Sequence, residues 1–139
     1  MINFNYESDF QIDKEIFYQN WIERCCVSEG YSIGELNYIF CNDDYLLEIN
    51  KKYLDHDALT DIITFDYVSG KTISGDIYIS EERVRENAAV FEVAFENELL
   101  RVMVHGVLHL MGYKDKSEED SLIMREKEEE KIKLFHVER

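Results

Sequence analysis

The strongest constraint on this chain lies in residues 98–112, ELLRVMVHGVLHLMG, where Leu99, Leu100, Val102, Met103, Val104, Val107, Leu108, Leu110 and Met111 leave almost no polar face. A helix that is apolar round most of its circumference is buried, so the rest of the fold has to be built around this one. Its polar exceptions are Glu98, Arg101, His105 and His109, which step by three, four and four residues. At 3.6 residues per turn they share one side of the helix. Buried polar groups are costly unless paired, so the stripe demands partners, a water-filled cleft or a metal.

Histidines four residues apart stand one turn above the other and can aim two lone pairs at one ion. The same spacing also suits two core histidines hydrogen-bonded to carbonyls or acids. The helix is expected to stop at Gly112, and the loop beyond it returns Asp115 six residues after His109. Two histidines, one carboxylate and a fourth position left to water make a hydrolytic zinc arrangement. Gly106 stands where a zinc protease of the HExxH kind carries its glutamate base, which weakens that reading. It is expected instead to leave the helix surface low beside the metal, with room for a substrate backbone.

The remaining pattern predicts an α/β (α+β) fold, a small mixed four-stranded sheet packed with about five helices. INFNY reads as a first strand, and Asp13 is the expected N-cap of a helix burying Phe17, Trp21, Ile22 and Cys25 before Gly30. ELNYIFC reads as a strand, and Asn42 caps a helix to about Tyr53 with Leu46, Leu47, Ile49 and Tyr53 inward. DIITFDY and SGDIYIS, joined by VSGKT, are expected to be neighbouring strands. Ser80 caps the next helix, and Ser117 with Asp120 resembles a capping box for a last charged helix. The run REKEEEKIK within it reads as a solvated face.

Nothing divides the 139 residues, which lack proline and low-complexity linkers, so 1–139 is expected to be one domain. No signal-like opening and no membrane-length apolar run occurs, and Cys25, Cys26 and Cys41 suit buried thiols in a reducing cytosol. The expected location is cytoplasmic, with no membrane partner. The net charge of −15 argues against nucleic-acid binding through a broad basic face. It is unevenly spread: residues 1–50 carry 10 acids and 2 bases, residues 101–139 carry 9 and 8, so a local cationic surface near the histidines is compatible with it.

HGVLHLMGYKDK resembles the HGxLHLxGYDH signature of the YbeY endoribonucleases, metal-dependent proteins of bacterial ribosomal RNA processing. TDIITFDY is similar to the family's TDVLSF segment and GDIYIS to its GDI strand. The resemblance implies that His105 and His109 ligate metal and puts Asp115 where a third histidine is usual, with Lys114 where Asp is common. The implied cofactor is one Zn2+ per chain, and the harder carboxylate makes Mn, Fe or Ni more compatible than a three-histidine site would. Leu54 stands where the family commonly has arginine, so Lys51, Lys52 and His56 are the candidates for any phosphate-binding role. Asp61 and Asp76 match acidic family positions and either orient a ligand or the attacking water, or serve as strand-end acids bonded to backbone amides.

The function so implied is hydrolysis of phosphodiester bonds in single-stranded RNA during rRNA and ribosome maturation, with rRNA and small-subunit ribosomal proteins as partners. Two alternatives stand beside it, a metalloprotease-like hydrolase and a non-catalytic ribosome-assembly factor with a structural metal.

Overall fold

Alternating apolar residues set which face of each strand meets the apolar helix. In the computed structural model, which describes residues 1–55 and 59–138, the strands are β1 (Ile2–Tyr6), β2 (Ser32–Cys41), β3 (Ile62–Asp66) and β4 (Thr72–Ser80). They form one sheet in the order β1-β2-β4-β3. The first three neighbours are parallel, and β3 runs antiparallel to β4 at the edge. The helices are α1 (Glu15–Ser28), α2 (Asp43–Leu54), α3 (Glu81–Val90), α4 (Phe95–Leu110) and α5 (Glu118–Glu138). This is the expected mixed sheet with five helices.

Along β4 the period of two turns Ile73, Gly75, Ile77 and Ile79 to the buried side and leaves Asp76 and Tyr78 on the other. The α4 helix packs on the buried side, with Gly106 against the side chains of β3 and β4. A Cβ there would stand 3.0 Å from Ile62 Cδ1 and from Ile77 Cδ1 and Cγ2. The expectation that Gly106 opens room for substrate is therefore corrected: it faces the sheet, and its missing side chain brings helix and strands together. Gly75 makes a similar approach, since a Cβ would lie 2.4 Å from the Phe65 carbonyl oxygen.

Three caps form as the sequence predicts. Asn42 Oδ1 accepts from the Tyr45 N–H at 2.9 Å, Ser80 Oγ from the Arg83 N–H at 3.2 Å, and Ser117 Oγ from the Asp120 N–H at 3.0 Å. Asp13 does not cap α1; Lys14 takes the position in a left-handed conformation without a side-chain cap bond. The buried face of α1 is also turned from the expected one. Tyr18, Trp21, Ile22, Cys25 and Cys26 are buried and Phe17 is exposed, because Tyr18 and Trp21 pack on Phe135 of α5. Tyr53 is exposed as well, since α2 buries Leu46 and Asn50 and leaves Tyr53 edge-on to Phe65.

The largest correction concerns α5, which is not merely a solvated face. Met124, Glu128, Lys131 and Phe135 are buried, and their steps of four, three and four residues make one helical stripe. Trp21 donates its indole N–H to the Lys131 carbonyl at 2.6 Å, and Lys131 Nζ donates to Glu29 at 2.7 Å and to Ser28 Oγ at 2.9 Å. These bonds satisfy a cation that burial would otherwise penalise. Cys25, Cys26 and Cys41 are free and buried, with burial pushing each thiol up to about 12. No helix among the described residues is long and apolar enough to cross a membrane.

Candidate metal centre

The stripe on α4 ends in a three-residue cluster. His105 and His109 lie one turn apart, α4 stops at Leu110, and Gly112 with φ 100° turns the chain back. The returning loop sets Asp115 Oδ2 3.2 Å from His105 Nε2 and 3.4 Å from His109 Nε2. The two Nε2 atoms are 2.9 Å apart. Ligands about 2.0–2.1 Å from a tetrahedral zinc stand roughly 3.3 Å from one another, so these separations approximate one triangular face of such a shell.

The outer nitrogens decide what the inner ones offer. His109 Nδ1 lies 2.9 Å from the Tyr113 carbonyl oxygen, which only accepts, so Nδ1 carries the proton. His105 Nδ1 lies 2.6 Å from Glu128 Oε2 and donates to that carboxylate. With each Nδ1 donating outward, both Nε2 atoms turn toward each other and toward a carboxylate oxygen. Three converging acceptors repel, and a cation is what satisfies them. The donor set therefore fits a divalent ion on the chemistry of its own atoms, and His105, His109 and Asp115 are the group among the described residues that can hold one.

Glu128 was hidden in the charged run of the last helix. It is 4% exposed, and besides His105 it holds Arg101 at 3.6 Å. Arg101 is gripped by Glu98 through bonds of 3.0 and 2.7 Å and reaches Asp61 at 3.8 Å. The polar stripe thus finds its partners in a buried network whose one cation meets three carboxylates. The hydrogen bonds it donates to Glu98, opposed by burial and aided by the surrounding acids, hold the Arg101 guanidinium firmly charged. The only sequence signal for Glu128 was its spacing from Met124 and Phe135, the apolar ends of the buried stripe on α5.

Two cavities meet at the cluster. One of about 750 Å³ is lined by Leu54, Leu59, Asp61, Thr64, His105, His109, Asp115 and Lys116, among others. The other, about 350 Å³, lies between α4 and α5 and is lined by Arg101, His105, Asp115, Glu118, Arg125 and Glu128 with their neighbours. Asp61 stands in the larger one, where burial raises its carboxyl above the usual range and Arg101 partly opposes the shift.

The other candidates fall elsewhere. Asp76 is not brought to the histidines: strand alternation puts it on the far face of β4, where it accepts from Asn37 Nδ2 at 2.9 Å. Lys52 lines a separate cavity with Tyr45, Tyr53 and Tyr78 and sits 5.3 Å over the Tyr53 ring, and Lys51 is exposed and lines neither metal-side cavity. His56 lies outside the described residues. Leu54 is at the cleft and brings no charge there.

Comparison with known proteins agrees with this geometry. The family described as Endoribonuclease YbeY matches residues 3–136. A Flavobacterium psychrophilum protein named Endoribonuclease YbeY is 65% identical over 137 residues, spanning 99% of this chain and 98% of the relative. Its namesake in Flavobacterium johnsoniae is 58% identical over 138 residues and 99% of each chain. A Thermotoga maritima protein solved in solution superposes with a TM-score of 0.71 at 30% identity, covering 99% of this chain and 91% of that one. With the signature histidines on α4, the matching order of elements and similarity over nearly its whole length, this chain belongs to the YbeY endoribonuclease family.

Proposed function

We propose that the chain is a metal-dependent endoribonuclease of rRNA maturation, hydrolysing phosphodiester bonds of single-stranded RNA at the cluster of His105, His109 and Asp115. The observation that carries this is the pair of Nε2 lone pairs converging with Asp115 Oδ2, each imidazole fixed from behind by an acceptor. When bound, a divalent ion there polarises a phosphoryl oxygen and brings the pKa of water toward neutrality. The chain's own residues set the geometry. Glu128 and the Tyr113 carbonyl orient the imidazoles, and we assign to Asp61, on the wall of the larger cavity, the orienting of the attacking water. We assign Zn2+, one per chain, as the resident ion from the two nitrogens; the carboxylate ligand keeps Mn, Fe or Ni compatible.

The net charge of −15 supports basic small-subunit ribosomal proteins as docking partners alongside rRNA. The cytoplasm, where free thiols persist, is the compartment that suits the three unpaired cysteines. The test is cleavage of a single-stranded RNA by metal-loaded protein and by its His105→Ala variant. The proposal expects activity in the first and a loss of at least 100-fold in the second. Equal rates would sink it, because the activity would then not arise at this cluster.

A further inference from the structure

His105 and Asp115 line both cavities, so the ligand cluster is a ridge with a basin on either side. A strand laid across the ridge, with its scissile phosphate at the ligands, has one flank in each basin. Each flank carries a phosphate that needs a cation. In the larger basin Lys116 is the cation among the described lining residues, and Leu54 contributes none. In the smaller basin the cations are Arg101 and Arg125. Arg101 is already committed to Glu98, Glu128 and Asp61. Arg125 is exposed and, like Lys116, makes no ion pair with another described residue.

We propose that Lys116 and Arg125 hold the two phosphates that flank the bond being cut, so that RNA runs across the ligand ridge from the β3 side toward α5. The inference rests on the endoribonuclease reading and deepens it by locating the substrate. It also explains how an acidic protein grips a polyanion. The cations are few and local, and among the carboxylates lining the two basins Asp115 belongs to the ligand cluster, Glu128 is engaged by His105 and Arg101, Asp61 by Arg101, and Asp66 by the Val68 N–H at 2.8 Å. Glu118 remains in the smaller basin and opposes Arg125, which limits affinity. The phosphate grip of this chain thus sits on the loop after Asp115 and on α5, whereas the family resemblance implies Lys51, Lys52 and His56.

The test uses the whole metal-loaded chain, with a fluorescent 2′-O-methyl oligouridylate as the binding probe and single-stranded RNA as the cleavage substrate. Lys116→Gln and Arg125→Gln are each expected to weaken binding roughly five-fold near 0.1 M salt, and each to lower the slope of log affinity against log salt by about 0.7. The double variant combines both losses, and KM rises by a larger factor than kcat falls. Arg85→Gln, an exposed cation on α3 paired with Glu81, is the control and changes neither. A double variant that keeps its metal and binds with wild-type affinity and salt slope overturns the proposal. Equal cleavage by wild type and His105→Ala is a different failure, that of the endoribonuclease reading itself.

Discussion

Glu128 is the residue on which the metal centre leans without being a ligand. Its 2.6 Å contact to His105 Nδ1 fixes both ring orientation and tautomer, and outer partners of this kind carry about 10- to 100-fold in metal affinity. Glu128→Gln is therefore expected to weaken metal binding by that factor while the fold persists, as read by chelator competition beside circular dichroism. An unchanged affinity would mean that His105 is oriented by something else. Glu29 anchors the other side. Burial pushes its carboxyl up, but the hydrogen bonds from Lys131, Tyr113 and Lys127 outweigh that and lower it from 4.5 to about 2. A carboxyl whose folded pKa is depressed contributes stability that is full above its unfolded pKa and is lost as pH falls through the folded one. Wild type should lose stability between about pH 4.5 and 2, and Glu29→Gln should flatten that segment of the pH–stability curve.

At the scale of elements, much of the molecule could be read from its residues, and the misreadings share a cause. α4 was legible because a helix apolar on nearly every side has one environment to go to, and a polar stripe within it has few explanations. The strands were legible through alternation and the caps through Asn42, Ser80 and Ser117. Residues whose burial depends on a distant partner were not. The inward turn of α1 depends on Phe135, more than 100 positions away, and Glu128 and Lys131 are buried because Arg101 and His105 of α4 answer the first and Glu29, just past α1, answers the second. Charge alone reads as solvent-facing until its partner is known. Phe135→Ala should therefore cost about 3–5 kcal/mol in chemical denaturation, as expected for a buried aromatic on a packed stripe. Gly75→Ala tests the sheet edge. With the Phe65 carbonyl 2.4 Å from the new Cβ, relief requires β3 to shift, and a loss of about 1–3 kcal/mol with a disturbed metal cleft is expected. Stability equal to wild type would show that β3 yields freely.

For the whole molecule, the centre ties α4, the loop beyond it and α5 into one unit, because His105 and His109 come from the helix, Asp115 from the loop, and Glu128 from the last helix. An ion bound to the folded state alone stabilises it by mass action, about 2.7 kcal/mol at a hundred times its dissociation constant. Thermal unfolding should accordingly shift upward with added zinc and downward with a chelator, and the shift should vanish in His109→Ala. The most direct test of the central claim, that these three side chains hold one catalytic ion, is elemental analysis of untagged wild type, His105→Ala and Asp115→Ala, each assayed on the same single-stranded RNA. The account predicts about one equivalent of metal and RNA cleavage in wild type, with both lost together in the two variants. Metal retained at wild-type level in Asp115→Ala, or RNA cleavage that survives in variants stripped of metal, would contradict it.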